Sequence, residues 1–367
     1  MKRPDYKDSI VNVSASLMHH YGLQSFHPPL EALRGTLSRP HAHIVLMLFD
    51  ALGLSMLEKH LDKGRFLRKY LRKSITSVFP STTVAATTAV LSGKTPLETN
   101  FVGWFQYVPE HDVHYTMFKH EDFYAPKRSV PDVLRDAHRQ PSMLGALDAL
   151  EGLRAEAIMP EPVVDGGYKD LEDGLVRLDA FQRAHPRTFT YFYHTQPDLT
   201  AHEKGVDSEE TKALVQSIDR AVARYAASRA DDTLLLIIAD HGMLDVEPVF
   251  LFEDATLCEM MARRPAIEPR ATAFYVKATR HDAFKTHFER HYGNQFKLYD
   301  KQTLLRSGLL GSGQRHIALE DTIGDFMSVA VANAYFSLGP SAVFKGHHAG
   351  LTEEEMVVPL IVVEGDR

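Results

Sequence analysis

The stretch TLLLIIADHG, Thr233 to Gly242, decides the fold. Its apolar, β-branched run has no polar alternation, which is the pattern of a strand buried on both faces in a parallel sheet covered by helices. An Asp and a His follow at once. Ligands of open α/β sheets bind beyond the carboxyl ends of the strands, so the same residues propose a fold and a place for its chemistry. Working outward, HIVLMLFD ends at Asp50, and TFTYFYHTQPD reaches Asp198 a few residues past its strand. The clearest strands are His43 to Phe49, Thr188 to Tyr193, Thr233 to Ala239 and Val357 to Val363, all read as buried parallel strands. Between them lie helical patterns. The best is Glu209 to Ala227, where Leu214, Ile218, Ala221, Val222 and Tyr225 share one face and Ser208 is placed to act as N-cap. Strands alternating with helices predict an α/β fold, a mostly parallel sheet covered by helices on both faces.

A chain of 367 residues exceeds the usual single core, so one large domain with an insertion, or two domains, is expected. The character changes at about residue 247. A strand-like Ala271 to Val276, a helix-like Asp282 to Tyr292 and an alternating stretch Phe326 to Phe336 suggest a smaller α+β insertion over 247–343. Residues 1–246 and 344–367 would form the main α/β unit.

Hydrophobic residues make up 44% of the chain and charged ones 24%, which places it among globular proteins. The formal charge of −7 is spread out, and no run of Lys and Arg marks a groove for a nucleic-acid polymer. The lone Cys258 rules out an internal disulfide or a cysteine-rich zinc module; it reads as a small buried hydrophobe and fits a reducing compartment. The N-terminus lacks the apolar core of a secretory signal, and no stretch approaches the ~20 apolar residues of a membrane span. A soluble, cytoplasmic protein without a membrane partner is the expectation.

Taken singly, Asp50, Asp198 and Asp240 are ordinary caps or turn formers. Together with His241 they form a converging set. In Asp198-Leu-Thr-Ala-His202 the spacing puts carboxylate and imidazole on one face of a helical turn, either as a surface pair or as two ligands of one ion. Gly346-His347-His348-Ala349-Gly350 is an ordinary loop or a His brought close to a metal by small neighbours. FPSTTVAATTAVLSG, Phe79 to Gly93, puts a hydroxyl cluster ahead of an Ala-rich helix. Such a hydroxyl can be a simple N-cap. It can also sit in positive potential beside free N–H groups that hold phosphate oxygens, where a bound metal lowers its pKa and makes it a nucleophile.

At this point the chain resembles the alkaline phosphatase superfamily, and within it the nucleotide pyrophosphatase/phosphodiesterase branch. The pieces LFDALG, FPSTTVAATTAVLSGKTP, PDLTAHEKG, IADHGM and GHHAGLTEEEMVVPLIV occur in family order and cover most of the chain. The resemblance implies two divalent ions, one held by Asp198, His202 and His348, the other by Asp50, Asp240, His241 and the nucleophilic hydroxyl. In the family that hydroxyl stands ten positions before the Gly ending its helix; from Gly93 this gives Thr83, with Thr82 the alternate and Ser81 third. His348 resembles the ligand of a His-Gly-Gly-Leu element with Ala349 in place of the first Gly, and His347 is the alternate. Three His and three Asp accommodate Zn²⁺ or Mn²⁺, and the resemblance favours zinc.

Two departures concern substrate contacts. Family members often carry His-Gly where this chain has Thr99-Asn100, and the eukaryotic diesterases place an Asn where the spacing gives Trp104. Asn100 and Trp104 become candidate substrate contacts, Trp104 being equally readable as a core residue. Arg270 and Lys345 are candidate phosphate contacts or solvated surface charges. The insertion, leaving the sheet after His241 and returning before His348, is expected to cover the metal site and shape the leaving-group pocket.

The implied reaction is in-line attack of Thr83 on phosphorus through a phosphothreonine, on a small phosphorylated substrate such as a nucleotide. A dianionic monoester requires positive charge beyond two metals. The uncharged, aromatic segment Asn100 to Tyr107 suits a base or an apolar leaving group better, so diesters or pyrophosphates are expected to outrank monoesters. A phosphomonoesterase, a phosphomutase and a phosphonate hydrolase would use the same metals. A non-catalytic metal-binding protein would lack turnover altogether.

Overall fold

The computed structural model describes residues 1–230, 232–339 and 343–365. Its main sheet has six strands in the order Leu71–Thr76, Val357–Val363, Thr233–Ile238, His43–Phe49, Thr188–His194, Arg154–Ile158. The three central strands are buried along their whole length, as runs without alternation require. His43–Phe49 pairs in parallel with both neighbours, His43 opposite Thr188 and Thr233. The same register, carried past Leu48 and Ile238, brings Asp50 alongside Asp240.

The last strand corrects one expectation. Val357–Val363 is buried but antiparallel to both Thr233–Ile238 and Leu71–Thr76. The cause lies in the connection. His348 stands at the carboxyl end of the sheet, and only the one-turn helix Glu353–Met356 separates it from the strand, so the chain re-enters from that end and runs back down.

Glu209–Ser228 forms the predicted helix, with the Ser208 hydroxyl accepting from the Thr211 N–H at 3.1 Å. Val215, Ile218, Ala221, Val222 and Tyr225 are buried in the main core, and Leu214 is half-buried against it.

A second sheet of six strands is antiparallel throughout, in the order Phe296–Asp300, Phe326–Ala330, Ala271–Phe274, Ala266–Ile267, Phe105–Val108, Val113–Thr116. The helix His281–Tyr292 buries Phe284 and Phe288 against Phe274 on this sheet. Two features depart from the sequence expectation. The hairpin Phe105–Val108/Val113–Thr116 comes from the segment assigned to the main unit; Phe105 pairs with Ile267 and stacks on Phe123 at 3.7 Å, so its aromatics find their apolar surface in the second core. Phe326 to Phe336 is two strands, Phe326–Ala330 and Ala334–Ser337, the latter pairing in parallel with Glu247–Phe250. Among the described residues no helix is long and apolar enough to cross a membrane.

Candidate metal centre and nucleophile

The three strand ends deliver their acids to one spot. Asp50, Asp198, Asp240, His241 and His348 are all buried, and His202 is half-buried beside them. Asp198 opens the helix Asp198–Lys204, and the expected one-turn geometry places His202 Nε2 3.4 Å from Asp198 Oδ1. His348 Nε2 lies 3.7 Å from the same oxygen. His241 Nε2 is 3.4 Å from Asp50 and 3.5 Å from Asp240. Two groups have ligand atoms all within 4.8 Å of one another, Asp198/His241/His348 and Asp50/Asp240/His241. The His241 ring stacks on His348 at 3.8 Å, which is why it belongs to both; His202 faces Asp198 just outside the tighter group.

The donor chemistry fits divalent cations. Each imidazole has Nδ1 on a backbone carbonyl: His202 on Gly346 at 2.8 Å, His241 on Gly242 at 3.0 Å and His348 on Ser81 at 3.0 Å. That bond fixes the tautomer and leaves the Nε2 lone pair facing inward. Burial, with His241, His202 and His347 nearby, holds His348 well below the usual imidazole range, so it is neutral. Asp198 Oδ1 and Asp240 Oδ2 are buried with no hydrogen-bond partner among the described residues. Burial, followed by Asp240 and Asp198, pushes Asp50 well above the carboxylate range, and burial above all raises Asp240 to about 7. Buried carboxylates that repel one another and leave oxygens orphaned require positive charge among them. His347, the alternate ligand, accepts the His348 N–H on Nδ1 at 2.8 Å and packs against Phe344 and Tyr335, apart from both groups.

The helix Thr83–Ser92 begins at this centre and ends at Gly93, whose φ of 65° is the left-handed C-cap that glycine adopts without strain. Three neighbouring hydroxyls go three ways. Thr83 Oγ1 lies 3.2 Å from His241 Nε2 and 3.5 Å from both Asp50 oxygens. Thr82 Oγ1 donates to Glu268 at 2.6 Å, and Ser81 Oγ donates to the Gly350 carbonyl at 3.0 Å. The Thr82 side chain therefore does not cap the helix, whose first N–H groups stay open to an anion.

Backbone approach sets the ligand positions. A Cβ on Gly242 would sit 1.9 Å from the Glu354 carbonyl oxygen and 3.2 Å from Gly53 Cα. Gly242→Ala must push the turn after His241 off its seat. We expect it to lower stability by about 1–3 kcal/mol or more and to weaken metal binding at least tenfold. Unchanged melting and metal titration would remove Gly242 from this account. Ala349, where the resemblance implies Gly, sits at φ 94°, a strained value for any residue with a Cβ.

The candidate substrate contacts fare differently. Asn100 ends the helix Pro96–Thr99 in the left-handed region at φ 60° and is buried, its Oδ1 without a partner among the described residues. Trp104 is half-buried, edge-on to Phe118 at 5.9 Å, and packs on the small cluster that contains Val84 and Phe101. Arg270 requires correction as a phosphate contact. It is fully buried, with Nε and Nη2 on Glu355 at 2.7 and 2.8 Å and the remaining donors on the carbonyls of Ala334 and Ala332. Glu355 in turn accepts from the Gly350 and Thr352 N–H groups, so the pair braces the turn carrying His348. Lys345 is exposed.

Three residues escaped the sequence reading: Glu355, Tyr193, whose hydroxyl donates to Asp50 Oδ2, and Glu268. Glu355 is the last of three consecutive glutamates, Tyr193 is one of two tyrosines in an aromatic strand, and Glu268 stands between Ile267 and Pro269, so no local signal sets any of them apart.

Among curated proteins none matches the chain. Solved structures similar in fold include human ectonucleotide pyrophosphatase/phosphodiesterase 5, 16% identical, TM-score 0.64, covering 87% of each chain. The murine protein of that name matches with TM-score 0.63 at 16% identity, over 86% of this chain and 87% of that one. An inactive threonine-to-alanine variant of the murine protein, in complex with AMP, matches at 15% identity, TM-score 0.63, over the same shares. These likenesses show the alkaline-phosphatase-like fold. The model of the type I phosphodiesterase / nucleotide pyrophosphatase family matches residues 44–350, and so spans every strand end and ligand turn described above. The chain belongs to that family of metal-dependent hydrolases of phosphoric esters and anhydrides.

Proposed function

We propose that the protein hydrolyses phosphodiesters or pyrophosphates of nucleotide type through a phosphothreonine on Thr83. The observation that carries this is the seat of the Thr83 hydroxyl, at the open head of a helix and against Asp50 and His241. Thr83 Oγ1 forms the bond to phosphorus as the ester oxygen opposite leaves, and its proton departs toward the carboxylate of Asp50, which the Tyr193 hydroxyl orients. The helix N–H groups hold the non-bridging oxygens. The phosphothreonine still carries the retained ester group; water then cleaves the bond between phosphorus and Oγ1, releases a phosphomonoester and restores the hydroxyl. Two divalent ions, held by Asp198, His202 and His348 and by Asp50, Asp240, His241 and Thr83, would lower the hydroxyl's pKa and neutralise developing charge. His241 also closes on the first of these sets. The ligand types suit zinc, and manganese is accommodated.

Metal loading gives the first check. Reconstituted protein should hold about two ions per chain. Chelation should abolish turnover and lower stability, by ~4 kcal/mol relative to a ligand concentration a thousand times Kd. One ion or none after reconstitution would sink the two-site assignment.

Substrate charge gives the second. The AMP complex of the murine relative supports a nucleotide ligand. Arg270 is committed to Glu355, and a carboxylate, Glu268, lies next to Thr82, so Arg270 does not supply the extra cation a dianionic monoester needs. We expect kcat/KM for bis-p-nitrophenyl phosphate and a nucleotide p-nitrophenyl ester to exceed that for p-nitrophenyl phosphate at least about tenfold, or 1.4 kcal/mol. A preference for the monoester would point to a phosphatase. A cytoplasmic location belongs to the same proposal and rests on the lone Cys258, half-buried against the second core.

A further inference from the structure

Glu268 is buried, and its Oε1 receives two donors at once: the Thr82 hydroxyl at 2.6 Å and the Trp104 backbone N–H at 2.7 Å. Thr82 precedes the proposed nucleophile. Trp104 packs in the cluster that holds Val84, the residue after it. The carboxylate thus ties the residue before Thr83 to Trp104, whose side chain packs against the cluster that contains the residue after it. We propose that Glu268 is a positioning residue for Thr83, a strut from the second sheet that sets where the nucleophile stands; this rests on Thr83 being the nucleophile.

The backbone is distorted to put it there. Ile267 has φ 85°, a left-handed value that is an outlier for a β-branched residue and costs about 1–3 kcal/mol. It is held by pairing with Thr272 and Phe105, while Glu268 N–H donates to the Ala271 carbonyl at 3.1 Å and Thr272 Oγ1 donates to the Glu268 carbonyl at 2.6 Å. Gly103 allows the other half of the contact. A Cβ there would lie 2.5 Å from Ile267 Cγ2 and 2.7 Å from its carbonyl oxygen, so any larger residue would lift the Trp104 N–H away from the carboxylate. An apolar side chain would fill the same buried volume without desolvating a charge. What only an acceptor at 268 achieves is to draw the Thr82 hydroxyl off the helix terminus, leaving the first N–H groups open and Thr83 facing Asp50 and His241. Burial pushes Glu268 up to about 7, with Asp198 adding to the rise, which places it within electrostatic reach of the metal ligands.

The test separates geometry from mere stability. Glu268→Gln keeps an oxygen that can accept from both donors; Glu268→Leu keeps the volume without the acceptor. With bis-p-nitrophenyl phosphate and equal metal content, Glu268→Leu should lower kcat about 100-fold with KM within about twofold, the penalty of a displaced reacting group. Glu268→Gln should stay within about fivefold of the parent. Trp104 is the chain's single Trp. Its emission in chelated protein should therefore shift in Glu268→Leu and not in Glu268→Gln. Should Glu268→Leu fail to fold, Thr82→Val removes one of the two bonds and should lower kcat about threefold to tenfold at constant KM. An unchanged kcat in either variant, a loss confined to KM, or Gln falling as far as Leu would overturn the proposal. If the parent protein turned over no phosphoric ester, the functional reading would fail instead, and the Trp104 emission would still decide whether Glu268 clamps these elements: no shift in Glu268→Leu overturns the strut.

Discussion

Thr83→Ala should reduce turnover of a phosphodiester at least about a thousandfold while the protein still folds and still binds its metals. The magnitude follows from what is removed. With no oxygen at 83 the covalent route is closed, and what remains is direct attack by water in a site that still binds substrate and neutralises charge, a residual of the kind left when a nucleophile is deleted elsewhere. The fold should survive because Thr83 is half-buried and its Oγ1 contacts only Asp50 and His241, so no core contact or essential hydrogen bond is lost. Metal binding should weaken only slightly, since the six Asp and His side chains are untouched. KM should change little if the helix N–H groups and the ligand cluster carry ground-state binding.

The comparison with Thr82 makes the result diagnostic. Thr82→Ala removes the bond to Glu268 and leaves the Thr83 hydroxyl in place, so a loss of tenfold or less is expected. Trapping experiments provide a second reading: a slowly hydrolysed diester, quenched in acid, should leave its phosphoryl group, with the retained ester, on Thr83 in the parent and on neither residue in Thr83→Ala. If Thr82→Ala were the more damaging variant, or the label appeared on Thr82, the nucleophile would be reassigned and the role of Glu268 with it.

Much of this centre was legible because its parts announce themselves locally. A strand without alternation is a buried strand wherever it pairs, and an Asp at its carboxyl end is fixed by the strand itself; Asp50 and Asp240 then meet through register alone. Asp198 and His202 needed only one helical turn. What was not legible depends on long-range geometry. The direction of Val357–Val363 is set by its connection and not by its residues. The hairpin Phe105–Val108/Val113–Thr116 reads as locally apolar, and nothing in it says which of two cores it will enter. Arg270 looked like a surface cation because its partner lies 85 residues away, and Glu268 is an acid in an apolar stretch whose two donors stand 164 and 186 residues off.

Arg270→Met should lower stability by about 3–5 kcal/mol, the penalty of leaving the Glu355 carboxylate buried without its counter-charge. The carbonyls of Ala332 and Ala334 lose their donors in the same step. Met keeps much of the volume, so a cavity is not the cause. Because Glu355 also accepts from Gly350 and Thr352, its movement would loosen the turn that presents His348, and metal affinity should fall about tenfold or more as support of a ligand is lost. Arg270→Lys should recover little, since one ammonium cannot replace a bidentate fork that also reaches two carbonyls. In Arg270→Met/Glu355→Gln the stranded charge is gone while an acceptor remains for one of the two amides, so part of the stability should return. Two measurements separate this from the phosphate-contact reading: thermal melting of metal-free protein, and KM for the diester at saturating metal. A brace lowers the melting temperature with KM nearly unchanged; a phosphate contact raises KM and leaves melting alone. Should the second pattern appear, Arg270 would have to leave Glu355 when substrate binds, and the second sheet would be a moving part of the catalytic cycle and not a fixed support.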